Sequence, residues 1–144
     1  MRSIKEITLG NNGIIRSLNN NNFNLILTPR QWGLTTLLID YINQIPNDKS
    51  ILFGVANSGM VSYVHRRITH PKCRTQAVYN SGLVGNGFDY IICDNFFDDK
   101  WIKKLVLIAP VLKEDGKIIL ADSGKSLGYE IEYFRNYNKI IKTS

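Results

Sequence analysis

The sequence predicts one α/β domain of three layers, a mainly parallel sheet with helices on both faces. Three observations predict it. Short apolar runs alternate with stretches of helical periodicity along the chain. The 144 residues suit one core and are short for two, so residues 1–144 are taken as a single domain. Hydrophobic residues at 44% and charged residues at 21% are ordinary globular values and favour neither disorder nor a fibrous repeat.

Residues 1–22 read as an arm or hairpin, because Gly10-Asn11-Asn12-Gly13 and Asn19 to Asn22 are turn-rich and bracket a short strand at Ile14-Ile15. Phe23 to Leu27 is an apolar strand that stops at Thr28-Pro29. Apolar residues at 37, 38, 41, 42 and 45 form the stripe of an amphipathic helix over Thr35 to Ile45, ended by Pro46-Asn47-Asp48. A strand at Ile51 to Ala56, a turn at Asn57-Ser58-Gly59 and a helix from Met60 to Ile68 follow. The second half continues in kind: a strand near Thr75 to Tyr79, a glycine-rich loop, a strand at Tyr90 to Cys93, a helix around Trp101 to Val111, and a strand at Lys117 to Ala121. Phe23 to Leu27 and Tyr90 to Cys93 are expected to be neighbouring central strands. Ligands of such sheets sit at the carboxyl ends of the strands, which places the loops after Leu27, Ala56, Cys93 and Ala121 at one edge.

Eighteen Lys and Arg against twelve Asp and Glu give a net charge of +6, a balance that suits a polyanionic partner. The cations are scattered, the densest groups being His65-Arg66-Arg67 and Lys100 with Lys103-Lys104. Cys73 and Cys93 match no paired metal-ligand spacing, and no apolar signal segment follows Met1-Arg2-Ser3. An intracellular, reducing setting is the expectation. The longest apolar runs fall far below the roughly 20 residues of a membrane-spanning helix, so no membrane segment is expected.

The loop Thr28-Pro29-Arg30-Gln31-Trp32-Gly33-Leu34-Thr35-Thr36 stands between a buried strand and an amphipathic helix, the setting in which backbone N–H groups and a helix N-terminus face phosphate. The P-loop pattern is Gly, four residues, then Gly-Lys-Ser/Thr. Gly33 and Thr35 fit its last glycine and hydroxyl, whereas Thr28 replaces the first glycine and Leu34 the lysine. By pattern alone, a simple helix N-cap explains the string as well.

The wider string Pro-Arg-Gln-x-Gly-x-Thr-Thr-Leu-Leu, from Pro29 to Leu38, resembles the phosphate loop of the ATPase domain in tailed-phage large terminases, the motors of viral DNA packaging. The likeness continues in order through Ile51 to Ile68, through Gly85 to Asn95 as the segment leading into a Walker B strand, and through Lys117 to Gly124. It implies a P-loop NTPase-like fold. Arg30, Gln31, Gly33, Thr35 and Thr36 are then the nucleotide-binding loop, Asp94 the residue that holds magnesium, and ATP with Mg2+ the cofactors, weakly bound or lost. Leu34 stands where the family has its lysine, Asn95 where it has the glutamate that activates water, and Val84 where it has an arginine. The resemblance therefore implies a pseudo-ATPase with no catalytic residues. Its partners are double-stranded DNA, through Arg66, Arg67, Lys103 and Lys104, or a protein; if viral, its place is the host cytoplasm.

Other constellations are weaker. Asp94, Asp98 and Asp99 fit a magnesium site but fit a helix N-cap and first turn better. His65 and His70 have no ligand partners at suitable spacing and read as surface histidines. Ser123-Gly124-Lys125-Ser126 fails as a second phosphate loop, because its first glycine falls at Ile119. Cys93 reads as a buried apolar thiol. Two alternatives stay open. Phe88 to Asn95 with Leu112 to Leu120 resembles the later strands of class I SAM-dependent methyltransferases, although too few residues separate Gly59 from Asp94 for that fold. A purely structural or interaction module on an ATPase scaffold is the other.

Overall fold

The computed structural model describes residues 11–28, 33–55, 58–77, 87–94, 112–123 and 138–141. These form three helices, α1 (Asn11–Asn20), α2 (Leu34–Gln44) and α3 (Ser58–His65), and six strands: β1 (Phe23–Thr28), β2 (Ile51–Val55), β3 (Cys73–Ala77), β4 (Phe88–Asp94), β5 (Leu112–Ser123) and β6 (Asn138–Ile141). The strands make one sheet in the order β3-β2-β4-β5-β1-β6. Every pairing is parallel. The expected α/β class with a parallel sheet is thus what the chain adopts.

Strand register explains how both faces are buried. Ile26, Phe53, Val55, Ile92, Ile119, Ala121 and Ile140 share one face and one core with Ile14 and Leu18 of α1, Leu34 to Ile42 of α2 and Val64 of α3. The alternate residues Leu25, Leu52, Ile91, Cys93 and Leu120 are fully buried on the other face. Strands covered on both sides read as continuous apolar runs, which is why Ile51–Val55 is buried throughout. Each buried Leu or Ile contributes on the order of 1.5–3 kcal/mol.

Four local expectations are corrected. The described part of the N-terminal segment is helix α1, not an arm or hairpin with a strand at Ile14-Ile15. Ile14 and Leu18 are one turn apart, and burying both against the sheet outweighs the turn preference of the surrounding asparagines. β3 begins at Cys73, earlier than the expected Thr75, with Val78 and Tyr79 outside the described residues, and α3 lies at Ser58–His65 rather than Met60 to Ile68. β5 is far longer than Lys117 to Ala121: its Leu112 pairs with Phe88 and its Lys117 with Tyr90, so extra residues bulge between them, with Asp115 at φ 64°. β6 went unrecognised, being a short edge strand. The expected helix at Trp101 to Val111 lies outside the described residues.

The largest correction is topological: β1 and β4 are not neighbours, because β5 lies between them. The consequence is set by α2, which leads from β1 to β2 and packs on β5 and β4 as it crosses them. Its first turn therefore stands over β4, two strands from where the chain left β1. A parallel connection leaves room for this crossing, because it returns over the face of the sheet rather than through a tight turn.

Candidate functional site

Register places the ends of four strands at one edge. Thr28 of β1 is level with Ser123 of β5, and Asp94 of β4 is level with Ala121. Val55 of β2 ends beside Asp94, since Gly54 pairs with Cys93. From the adjacent strands β1 and β5 the chain departs in opposite directions, β1 toward β2 and β5 toward β6. Such a switch point is where open α/β sheets take their ligands.

The N-terminus of α2 faces this edge. Gly33 caps it in the left-handed region, φ 92° and ψ 27°, a conformation that L side chains adopt at a cost. Nothing crowds the position of a Cβ on Gly33, so its backbone dihedral, not space, accounts for the glycine. No side chain caps the helix, and its first turn holds no acid. The first intrahelical bond runs from Leu37 N–H to the Gly33 carbonyl at 3.0 Å, so the N–H groups of Leu34, Thr35 and Thr36 precede the ladder. With the helix dipole, these donors favour an anion.

Thr35 and Asp94 meet across this edge. The Thr35 hydroxyl donates to Asp94 Oδ2 at 2.6 Å, although the two residues are 59 positions apart. Asp94 is only 2% exposed. A hydroxyl that spends its hydrogen on a carboxylate keeps its oxygen lone pairs for a cation. Hydroxyl and carboxylate oxygens are the ligand types magnesium takes, the rest of its shell coming from phosphate and water. Among the described residues no three His, Cys, Asp or Glu side chains cluster as a metal site.

Other expected site residues divide. Thr36 is exposed on the first turn of α2, beside Thr35 and Gly33. Leu34 is turned inward and belongs to the main core, so no charged group replaces the missing lysine at this position. Arg66 and Arg67 are exposed just past α3, at the far end of the sheet from Asp94. Arg30, Gln31, Asn95, Asp98, Asp99, Lys103 and Lys104 lie outside the described residues.

Thr28 carries a signal that the sequence pattern hid. It is 6% exposed, and among the described residues its hydroxyl has no hydrogen-bond partner. Buried hydroxyls are ordinarily hydrogen-bonded, so its place at this edge sets Thr28 apart from the other buried polar groups described. Only its place at a strand end pointed to it in sequence.

Two further assignments are settled by burial. Cys93 is fully buried as expected; desolvation, with Asp94 adding to it, pushes its thiol far above the usual range. Burial raises Cys73 to about 11, with a Thr75 hydrogen bond acting against it. Neither thiol is a nucleophile near neutral pH. His70, by contrast, is not a surface histidine. It is buried, with Nε2 3.0 Å from the Pro46 carbonyl, while Nδ1 accepts the Lys72 N–H at 3.1 Å. That geometry needs a neutral ring with the proton on Nε2, a structural role.

No family model matches the chain, and no curated protein matches it significantly. Among the described residues no helix is long and apolar enough to cross a membrane.

Proposed function

We propose that this chain is a P-loop NTPase-like domain resembling the ATPase domain of viral DNA-packaging terminases, one that takes a magnesium nucleotide and does not turn it over. The contact between Thr35 and Asp94 supports this most directly, since P-loop proteins hold magnesium with a loop Ser/Thr and a strand-end aspartate. In this proposal Gly33, Thr35 and Thr36, with Arg30 and Gln31, receive the phosphates. Thr35 and Asp94 hold the cation, which supplies charge neutralisation at the phosphates. Leu34 cannot take the place of the phosphate-binding lysine, because it is committed to the core. Nor does Asn95 offer a basic oxygen to accept a proton from water. Loss of an electrostatic clamp and of a base removes several kcal/mol of transition-state stabilisation. Such a domain acts in DNA packaging or DNA handling as a pseudo-ATPase, through its partners.

A titration with ATP, with and without magnesium, tests the proposal in the wild type and in Asp94→Asn. The expected outcome is magnesium-dependent binding, weakened at least tenfold by the substitution, with no phosphate released on prolonged incubation. Absence of binding at millimolar nucleotide overturns the nucleotide site, and robust hydrolysis overturns the pseudo-ATPase.

A further inference from the structure

Between Asp48 and Asp89 the chain has no acidic residue, yet it carries Lys49, Arg66, Arg67, Lys72 and Arg74. Most of the protein's +6 charge is therefore concentrated in one stretch. This stretch holds α3, the turn after it and β3, and α3 runs from the carboxyl edge of β2 back to the amino edge, where β3 begins. His65, Arg66, Arg67, Thr69 and Lys72 are all exposed there.

Tyr63 accompanies them. It is one of two large hydrophobic side chains exposed among the described residues, at 42%. The Arg67 guanidinium sits 3.8 Å from the centre of its ring and donates from Nη1 to the Tyr63 carbonyl at 2.9 Å. Ring and guanidinium are thus held as a preformed stack.

The turn beneath this stack is pinned to α2 and the segment after it. Asn43 Nδ2 donates to the Arg67 carbonyl at 3.0 Å, and Asn43 Oδ1 accepts the Thr69 N–H at 2.8 Å. His70 ties the next residues to Pro46 and to Lys72. A solubilising surface needs none of this order, since solvated Lys and Arg side chains gain little from fixed positions. Asp48 borders this surface, its carbonyl accepting from Lys72 Nζ at 3.5 Å.

We infer that this amino-edge surface, Tyr63 with Arg66, Arg67 and Lys72, docks single-stranded nucleic acid, the cations meeting phosphates and the Tyr63–Arg67 stack meeting an unpaired base. Bases in a duplex are stacked on one another and present no face to such a ring, so the aromatic element selects the single strand. This deepens the DNA partner of the function proposed above and rests on it only there. The surface lies at the opposite edge from Thr35 and Asp94, so strand and nucleotide bind without competing.

Fluorescence anisotropy with labelled oligothymidylate and a random duplex of equal length, each at two salt concentrations, tests the inference. The single strand is expected to bind several-fold tighter than the duplex, with affinity falling steeply as salt rises. Tyr63→Ala should weaken oligothymidylate about tenfold, whereas Tyr63→Phe, which keeps the ring, should restore it. Arg66→Glu should weaken both probes. Equal or tighter duplex binding, unchanged affinity in Tyr63→Ala, or no binding at low salt overturns the inference. Magnesium–ATP titration of the same Tyr63→Ala sample separates the two proposals: nucleotide binding without strand binding defeats this surface alone.

Discussion

At the amino edge of the sheet Asn24, His70, Asp89 and Lys117 each hold two or more polar partners, whereas at the carboxyl edge Thr28 keeps a buried hydroxyl with none among the described residues and α2 starts without a side-chain cap. Asn24 donates to the carbonyls of Leu18 and Asn21 and accepts from Asn138, whose amide also reaches Ser17. The Lys117 ammonium closes the C-terminus of α1 on the carbonyls of Leu18 and Asn19, where the helix dipole welcomes a cation. Asp89 receives the Ser50 N–H at 2.9 Å, the Ser50 hydroxyl at 3.2 Å and Lys113 Nζ at 3.4 Å. The contrast is between polar groups that fix the fold and polar groups that, in the function proposed above, meet a ligand. Satisfied networks stabilise, and an orphan group costs stability until something binds it.

If that division is right, substitutions at the two edges should move stability in opposite directions. The largest effect is expected at Asn24 of β1, which is fully buried: Asn24→Ala strips partners from α1, from Asn21 and from β6 together and should cost about 2–3 kcal/mol in denaturant unfolding. A loss under about 0.5 kcal/mol would show that the network is ornamental.

Asp89 comes next, and its effect carries a pH signature. Burial works to raise its pKa, but the Ser50 N–H and the Lys113 and Ser50 side-chain hydrogen bonds outweigh it and hold the carboxyl below its ordinary value. A carboxylate with a lowered folded pKa adds stability above the unfolded value of about 3.9, and that stability is lost as pH falls through the folded value. Asp89→Asn should therefore cost about 1–2 kcal/mol near neutral pH and progressively less below about pH 4, read from unfolding curves across that range. A pH-independent difference would mean the contacts act sterically.

The smallest effect sharpens the comparison from the other side. Thr28→Val keeps shape and removes only the orphan hydroxyl, so it should leave the protein as stable or raise it by up to about 1 kcal/mol, measured as a shift in Tm. A clear loss of stability would place Thr28 with the structural groups instead.

Much of the fold was legible because burial leaves a periodic trace. The stripe at 37, 38, 41, 42 and 45 gave α2, and the apolar runs gave β1, β2 and β4 with ends close to those observed. The loop before α2 was legible through Gly33 and Thr35, residue types tied to a backbone conformation and to a donor. Helix α1 was not, since its asparagines signal turns locally and only the sheet rewards packing Ile14 and Leu18.

By itself, then, the sequence determined the α/β class, the parallel sheet and the residues at the end of β1, all of which follow from patterns within a few turns of chain. Tertiary structure alone decided that β5 separates β1 from β4 and that Thr35 of α2 nevertheless reaches Asp94. It also decided that Leu34 faces inward and that His70 and Thr28 are buried. Strand order and burial depend on contacts between residues far apart in the chain, and no local periodicity encodes which distant strand fills the space beside another.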